Sequence, residues 1–196
     1  MGSAVLARAI ACQLAAEIVC IDIKPEVAHG ETMRLKAIVG QHYHVNAADV
    51  QGYMLGEHGN SAFPAWSTVG IGGVPLKELD EFYDHEGELN LAEIGQEVVN
   101  TAYDVVQSKG WTNTGIAMGA CRLAKAVLLD EHAVCPVSVP LKGEYGLTEV
   151  ALSLPSVIGK NGVEKRLPLH LPEEELALLK KSAESIQEVL RSNGVI

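Results

Sequence analysis

One histidine stands in a setting that suits acid–base chemistry. His58 lies in the heptapeptide LGEHGNS at residues 55–61, directly after a short apolar stretch and between two glycines. Glycines let the backbone turn sharply and expose the imidazole, and histidine readily exchanges a proton near neutral pH. His58 is therefore a candidate for a catalytic residue. A turn histidine without a chemical role is the alternative, because a Gly-x-His-Gly pattern alone is weakly specific.

Other reactive side chains favour no second site. His42 and His44 are spaced to share one face of an extended segment, but nothing completes a metal-ligand set around them, so we expect surface histidines and no metal. The four cysteines form no Cys-x-x-Cys pair and lie in apolar stretches: Cys12, Cys20, Cys121 and Cys135. We expect buried, reduced thiols and a cytoplasmic location.

The composition excludes several classes of function. The 196 residues are 47% hydrophobic and 20% charged, as in a globular protein, and the formal net charge is -10. An acidic chain is poorly suited to a nucleic-acid backbone or an anionic membrane surface. No apolar run approaches the length of a membrane span. Gln13 and Glu17 interrupt the apolar N-terminal stretch, and no basic segment precedes it, so we expect no signal peptide.

The elements that would position His58 follow from hydrophobic periodicity. Residues 3–16 have helical spacing and lead into the apolar run 18–23, which together predict a helix and a buried strand of an α/β unit. Residues 31–41 predict a further helix, and the apolar run 50–55 ends directly before the histidine segment.

The remaining chain alternates helices and strands. The pattern predicts helices over 89–107 and 112–131, strands over 134–141, 150–158 and 163–169, and a last helix from Pro172 to Ser192. A Lys160-Asn161-Gly162 turn predicts a hairpin between the last two strands. The fold class is therefore α/β at the front, as a partial Rossmann fold, with an α+β domain behind it.

Several separated motifs carry a family resemblance. The segment GYMLGEHGNSAFPAWSTVGIGGVPL at 52–76 resembles the active-site segment of L-lactate dehydrogenases and the related L-2-hydroxyisocaproate dehydrogenases. The similarity continues through KGWTNTGIAMG, EHAVCPVS, LKGEYGL and LSLPSVIGKNGV, at 109–119, 131–138, 141–147 and 152–163. The resemblance implies an oxidoreductase of carbohydrate metabolism that transfers hydride between NADH and a small 2-keto acid such as pyruvate, with His58 supplying the proton.

Further site residues follow from this resemblance. Arg34 is the first residue of the segment RLKAIVGQHYHV. It corresponds to the arginine that forms a bidentate pair with the substrate carboxylate. Thr112 matches a substrate-pocket threonine, and Ile116 a residue that faces the nicotinamide ring. The alternatives are a solvated helix arginine, a helix-capping threonine and a core isoleucine.

The front matches incompletely. Gly2 takes the place of the third glycine of the GxGxxG fingerprint, and Asp22 that of the acidic residue on the adenosine ribose, unless it is a solvated strand-end residue. The cofactor implied is NAD, although the first two glycines are not matched. About 100 residues of a six-stranded nucleotide-binding fold have no counterpart between Met33 and Arg34.

We therefore predict two regions, a remnant of the NAD-binding domain at 1–33 and a catalytic domain at 34–196. By the family resemblance, the missing part would include the aspartate that partners the histidine and a polarising arginine, so we expect this chain alone to be impaired or inactive. A small 2-keto or 2-hydroxy acid is the expected ligand, and a homo-oligomer the expected assembly. The alternative is a non-catalytic remnant or interaction module that assembles with a full-length paralogue.

Overall fold

The computed structural model describes residues 25–58, 61–79, 90–109 and 114–196, and their side chains at 30–58, 61–79, 90–98, 100, 107 and 119–196. The helix and strand predicted over 3–16 and 18–23 lie outside this part of the chain. Among the described residues, no helix is both long and apolar enough to cross a membrane.

Helix α1 spans Pro25–His42 and is longer than the helix predicted over 31–41. Leu35 and Val39, four residues apart, are fully buried, so this face of the helix packs into the core. The helix continues without a break through Met33 and Arg34. The domain boundary predicted at this point stays a prediction.

The predicted extended segment after α1 is absent. His42 is the last residue of the helix, and its ring packs edge-on against Tyr43 with 5.0 Å between centroids. His44 follows in a turn with φ of 53° and is exposed. The two histidines therefore do not share the face of one strand.

Short strands follow α1 and surround the histidine segment. They are β1 (Val50–Gln51), β2 (Met54–Leu55), β3 (Phe63–Pro64), β4 (Gly70–Ile71) and β5 (Val74–Pro75). Strand β4 pairs antiparallel with both β1 and β5, whereas β2 pairs antiparallel with β3. The predicted run 50–55 is split because Gly52, at φ of 142°, lies against Val69, where an added Cβ would approach Cγ2 to 2.9 Å.

An antiparallel meander forms the main sheet, and it contains the hairpin that the sequence predicted, although the last strand is shorter than the predicted 163–169. Its strands are β6 (Ala133–Lys142), β7 (Thr148–Gly159) and β8 (Gly162–Arg166), in the order β6-β7-β8. Gly162, at φ of 85°, supplies the left-handed backbone of the Lys160-Asn161-Gly162 turn.

Four helices complete the described fold: α2 (Leu76–Leu79), α3 (Leu91–Lys109), α4 (Thr114–Leu128) and α5 (Glu173–Ser192). Helix α1 packs against α4 and β6, and α5 packs against β7. The three long helices lie close to the predicted bounds. The front of the chain aside, the predicted α+β arrangement of the C-terminal part is confirmed.

Two hydrophobic clusters meet at strand β2. The first contains the inner face of β6 and β7 with Leu179 and Ala183 of α5, and the second contains Leu35 and Val39 of α1 with residues of α3. Met54 belongs to the second cluster and Leu55 to the first, because successive side chains of a strand point to opposite faces. The strand that leads to His58 is thus buried on both sides.

The prediction for the cysteines is wrong at one of the two described positions. Cys135 in β6 is buried, but Cys121 is exposed. Its neighbours Ala124 and Lys125 are also exposed, whereas Ala126 is fully buried. Cys121 therefore lies on the outer face of α4. The apolar residues around it in the sequence do not indicate which side of the helix faces the core. Cys12 and Cys20 lie outside the described residues.

Candidate active site

His58 lies in a segment that begins directly after strand β2; we call the described residues of this segment, 56–58 and 61, the histidine loop. Gly56, at φ of 91°, makes the turn and forms an antiparallel bridge with Ser153 of β7. The Ser153 N–H donates to the Gly56 carbonyl at 3.0 Å, and the Ser153 hydroxyl donates to the Met54 carbonyl at 3.2 Å. The start of the loop is therefore attached to the centre of the main sheet.

Helix α1 is tied to the same strand from the other side. The Met54 N–H donates to Oγ1 of Thr32 at 3.0 Å, and Thr32 is buried. This bond fixes the first turns of α1 relative to β2. As a result, the next residue back along the helix, Glu31, is held beside the histidine loop.

Glu31 and His58 form a direct pair. Glu31 Oε1 lies 2.8 Å from His58 Nδ1. The Glu31 side chain is 7% exposed and that of His58 is 32% exposed, so a shielded carboxylate holds a ring that is still accessible. A carboxylate accepts from Nδ1–H, which fixes the tautomer and leaves Nε2 to exchange a proton. This is the geometry that general acid–base catalysis requires.

The expectation that His58 would have no carboxylate partner is therefore wrong. Glu31 precedes Arg34 by three residues, in the sequence Glu-Thr-Met-Arg, and it supplies the carboxylate that the family resemblance placed among the missing residues. Glu31 lies on the N-terminal side of the predicted boundary between Met33 and Arg34, and it is a glutamate where the resemblance implies an aspartate. The signal that could have revealed it is the acid–arginine spacing of one helical turn.

Arg34 lies one turn beyond Glu31 on α1. Residues three apart are neighbours on a helix surface, so Arg34 is on the same side of α1 as the carboxylate that contacts His58. Its Nη1 is buried and has no hydrogen-bond partner among the described residues. A buried guanidinium nitrogen without a partner is costly, and an incoming carboxylate would satisfy it with a charge-assisted bond.

The other predicted site residues are only partly covered. Thr112, Gly2 and Asp22 lie outside the described residues. Ile116 lies in the first turn of α4, and its side chain is likewise outside the described set. Helix α1 packs against α4, so the backbone that carries Ile116 belongs to the same part of the fold as Glu31 and Arg34.

A separate group of titratable side chains lies at the end of the β7–β8 hairpin. Single ligand atoms of Asp130, His132 and Glu164 lie within 4.8 Å of one another. The Asp130 carboxylate already pairs with Lys160: the Lys160 backbone N–H donates to Oδ1 at 2.8 Å, and Lys160 Nζ lies 3.8 Å from Oδ2. The backbone N–H of Lys160 is the main cause of the lowered pKa of Asp130. We interpret this group as a surface ion-pair cluster.

Residues 31–193 match the profile of the lactate/malate dehydrogenase α/β C-terminal domain. The chain is 45% identical over 165 residues to an L-lactate dehydrogenase of Selenomonas ruminantium, covering 84% of this chain and 52% of that protein. It is 41% identical over 161 residues to L-lactate dehydrogenase 2 of Clostridium acetobutylicum, covering 82% and 50%.

Solved structures agree with these matches. A lactate dehydrogenase enzyme, MGS-M5, from a Medee basin deep-sea metagenome library superposes with a TM-score of 0.81 at 32% identity, over 84% of this chain and 52% of that one. The minor L-lactate dehydrogenase of Enterococcus mundtii, in its ligands-bound form, gives 0.79 at 36% identity, with the same coverage. The chain spans about half the length of the relatives it matches. With the domain match, the shared fold and the acid–histidine pair in agreement, the chain belongs to the lactate/malate dehydrogenase family.

Proposed function

We propose that this chain carries the acid–base and carboxylate-binding part of an L-lactate dehydrogenase-type site that acts on a small 2-keto or 2-hydroxy acid. The observation that carries the proposal is the 2.8 Å contact between Glu31 Oε1 and His58 Nδ1. The names of the relatives support the substrate class, since the similar proteins of Selenomonas ruminantium and Clostridium acetobutylicum are L-lactate dehydrogenases.

His58 exchanges the proton in this scheme. With Nδ1–H donated to Glu31, Nε2 protonates the carbonyl oxygen of a 2-keto acid as that oxygen gains charge, and it accepts the same proton in the oxidation direction. The shielded carboxylate of Glu31 stabilises the imidazolium that is present before the proton passes to the keto acid, and that forms again when the oxidation direction returns the proton. The exposed third of the His58 ring is where a substrate can reach it.

Arg34 binds the substrate carboxylate. A planar guanidinium presents paired N–H donors that match the two oxygens of a carboxylate, and Nη1 of Arg34 is already desolvated and without a partner among the described residues. Glu31 and Arg34 stand one helical turn apart on α1. One rigid element therefore sets both the histidine partner and the carboxylate anchor, which fixes the distance between the proton donor and the substrate.

NAD is the cofactor proposed, on the strength of family membership. When bound, it supplies or accepts the hydride at the substrate carbon. Gly2, Asp22 and Ile116 are the residues predicted to contact it, and no described side chain tests their fit. A cytoplasmic location and assembly with like chains remain predictions.

Titration calorimetry with NADH, followed by pyruvate and 2-ketoisocaproate, tests the proposal on the whole chain. Turnover is followed on the same sample from the absorbance of NADH. We expect binding of the keto acid to weaken by about 30-fold or more in Arg34→Met, as expected for loss of a charge-assisted hydrogen bond. Arg122→Met is the matched control, because Arg122 pairs with Glu131 at 2.6 Å on the exposed part of α4.

His58→Ala distinguishes proton exchange from binding. We expect it to lower turnover by about 10²–10⁴-fold while keto-acid binding changes less. Absence of both NADH binding and turnover in the unmodified chain would contradict the catalytic proposal. It would favour the alternative of an interaction module, which native mass spectrometry of the chain mixed with a full-length relative would test.

A further inference from the structure

The C-terminal helix closes the histidine loop through one hydroxyl. Ser182 of α5 is fully buried. Its Oγ accepts from the Glu57 N–H at 2.8 Å and shares a hydrogen bond with the Ser61 hydroxyl at 2.9 Å. These two residues flank His58 on either side. One serine, 125 residues away from Glu57, therefore joins both ends of the segment that carries the imidazole.

Ser182 uses two of the three hydrogen-bonding positions of its hydroxyl on this loop. A hydroxyl has one proton to donate and two lone pairs that accept. The Glu57 N–H occupies one lone pair, and the Ser61 hydroxyl takes either the proton or the second lone pair. Alanine at this position would remove both bonds and leave the partly buried Glu57 N–H without its acceptor.

Gly56 shows how tightly the loop is seated on α5. A Cβ on Gly56 would lie 2.9 Å from Ser182 Oγ and 2.9 Å from the Ser61 carbonyl oxygen. Only a residue without a side chain allows the backbone to approach the helix this closely. The loop backbone thus lies close to α5 at Gly56, and Glu57 and Ser61 form hydrogen bonds with the helix.

We propose that Ser182 is a positioning residue for His58, an inference that rests on the proposed function of that histidine. The imidazole is held from two sides by elements far apart in the sequence. Glu31 of α1 holds Nδ1, and Ser182 of α5 holds the loop backbone and prevents the ring from withdrawing from Glu31. A catalytic geometry must be held to within a fraction of an ångström, so the supporting contacts determine its quality.

The experiment compares Ser182→Ala with Ser156→Ala by ¹⁵N NMR of the histidine side chains. Ser156 is also fully buried, and its hydroxyl donates to the Leu154 carbonyl at 3.3 Å within β7, so it is chemically matched but makes no hydrogen bond to the described residues of the histidine loop. The signals of His58 are assigned from His58→Gln. They report which ring nitrogen carries the proton, a property that a general loss of stability does not change in the folded molecules.

We expect Ser182→Ala to reduce the Nδ1–H form of neutral His58 and to speed hydrogen exchange of the Glu57 amide by about 5-fold or more, as for one lost hydrogen bond. Ser156→Ala should leave both unchanged. If Ser182→Ala does not fold, Ser61→Ala removes only the second bond and is expected to give the same changes at smaller size. A folded Ser182→Ala, or in its place Ser61→Ala, with an unaltered His58 tautomer would overturn the proposal.

The tautomer measurement needs neither cofactor nor turnover, so it is independent of the tests of the proposed function. If the chain neither binds nor converts 2-keto acids, the catalytic function is refuted. A changed His58 tautomer in Ser182→Ala would still establish the positioning contact. Where turnover is present, we expect Ser182→Ala to lower kcat more than it raises KM.

Discussion

The Glu31 carboxylate lies 2.8 Å from Nδ1 of His58 and links helix α1 to a loop 27 residues further along the chain. The family resemblance implies an aspartate as the histidine's partner, so this chain reaches the ring with a side chain longer by one methylene. The hydrogen bond from the Met54 N–H to Thr32 Oγ1, at 3.0 Å, fixes α1 against β2. It therefore also fixes the distance that the side chain of Glu31 must span to reach His58.

Glu31→Asp and Glu31→Gln therefore separate reach from charge. Aspartate keeps the charge but shortens the side chain by about 1.5 Å, so we expect the contact to His58 to lengthen beyond hydrogen-bond distance. Glutamine keeps the length but can donate as well as accept, so we expect a mixed population of ring tautomers. Turnover should fall by about 10²–10⁴-fold in the glutamine variant. Unchanged ¹⁵N signals of His58 in both variants would contradict the pairing.

Gly56→Ala should destabilise the protein through a steric conflict with a distant helix. At φ of 91° an alanine is strained, and its Cβ would also meet Ser182 Oγ and the Ser61 carbonyl at 2.9 Å. We expect a loss of about 2–4 kcal/mol in the free energy of unfolding, measured with urea.

Gly73→Ala is the control for that measurement. Gly73 has φ of 87°, but nothing lies within 4 Å of its added Cβ. It should lose only the backbone part, about 1–2 kcal/mol. Equal losses in the two variants would show that the contact with α5 contributes nothing.

A partly buried ion pair between Arg166 and Glu144 should make the stability of the protein depend on pH in the acid range. Arg166 Nε lies 2.5 Å from Glu144 Oε1. Burial alone would raise the pKa of Glu144, but the Arg166 guanidinium and the Lys142 N–H outweigh it and lower that pKa to about 2. A lowered carboxylate pKa means that its stabilisation is complete above the ordinary value of 4.5 and is lost as the pH falls toward 2.

Arg166→Met should therefore reduce the free energy of unfolding by about 1–2 kcal/mol at pH 7, and its difference from the unmodified protein should shrink between pH 4.5 and 3. Lys165→Met on the same strand is the control, since no recorded ion pair involves Lys165 within the described residues. Urea unfolding at several pH values gives both quantities. A difference that does not depend on pH would contradict the assignment.

Thiol labelling should distinguish the two described cysteines. Cys121 is exposed, whereas Cys135 is buried, and burial raises the pKa of the Cys135 thiol. The thiolate is the reacting form. We expect iodoacetamide to modify Cys121 in the folded protein and Cys135 only on unfolding, as judged from the masses of the separated peptides. Equal rates at pH 8 would contradict the structure.

Patterns that local residues determine were predicted well from the sequence. The Lys160-Asn161-Gly162 turn gave the β7–β8 hairpin, and the acidic start after Pro172 gave helix α5, because turn chemistry and helix periodicity act over a few residues. His58 and Arg34 were singled out from the sequence, and their roles remain predictions. The buried Nη1 of Arg34 has no hydrogen-bond partner among the described residues, which is consistent with the role predicted for it.

Contacts between distant residues were not predicted. The spacing of Glu31 and Arg34 is a local sign of the pair that Glu31 forms with His58, but nothing near Ser182 indicates that its hydroxyl holds Glu57. Such contacts depend on how whole elements pack. The exposure of Cys121 was missed for a related reason, since an apolar stretch does not state which side of a helix meets the core.

The bond between Glu57 and Ser182 also sets an order of events during synthesis. The ribosome produces Glu57 first and Ser182 only 125 residues later. Strand β2 and helix α1 can associate while translation continues, but both ends of the histidine loop receive their common anchor only after α5 has emerged. Proton-exchange competence should therefore be among the last properties that the nascent chain acquires.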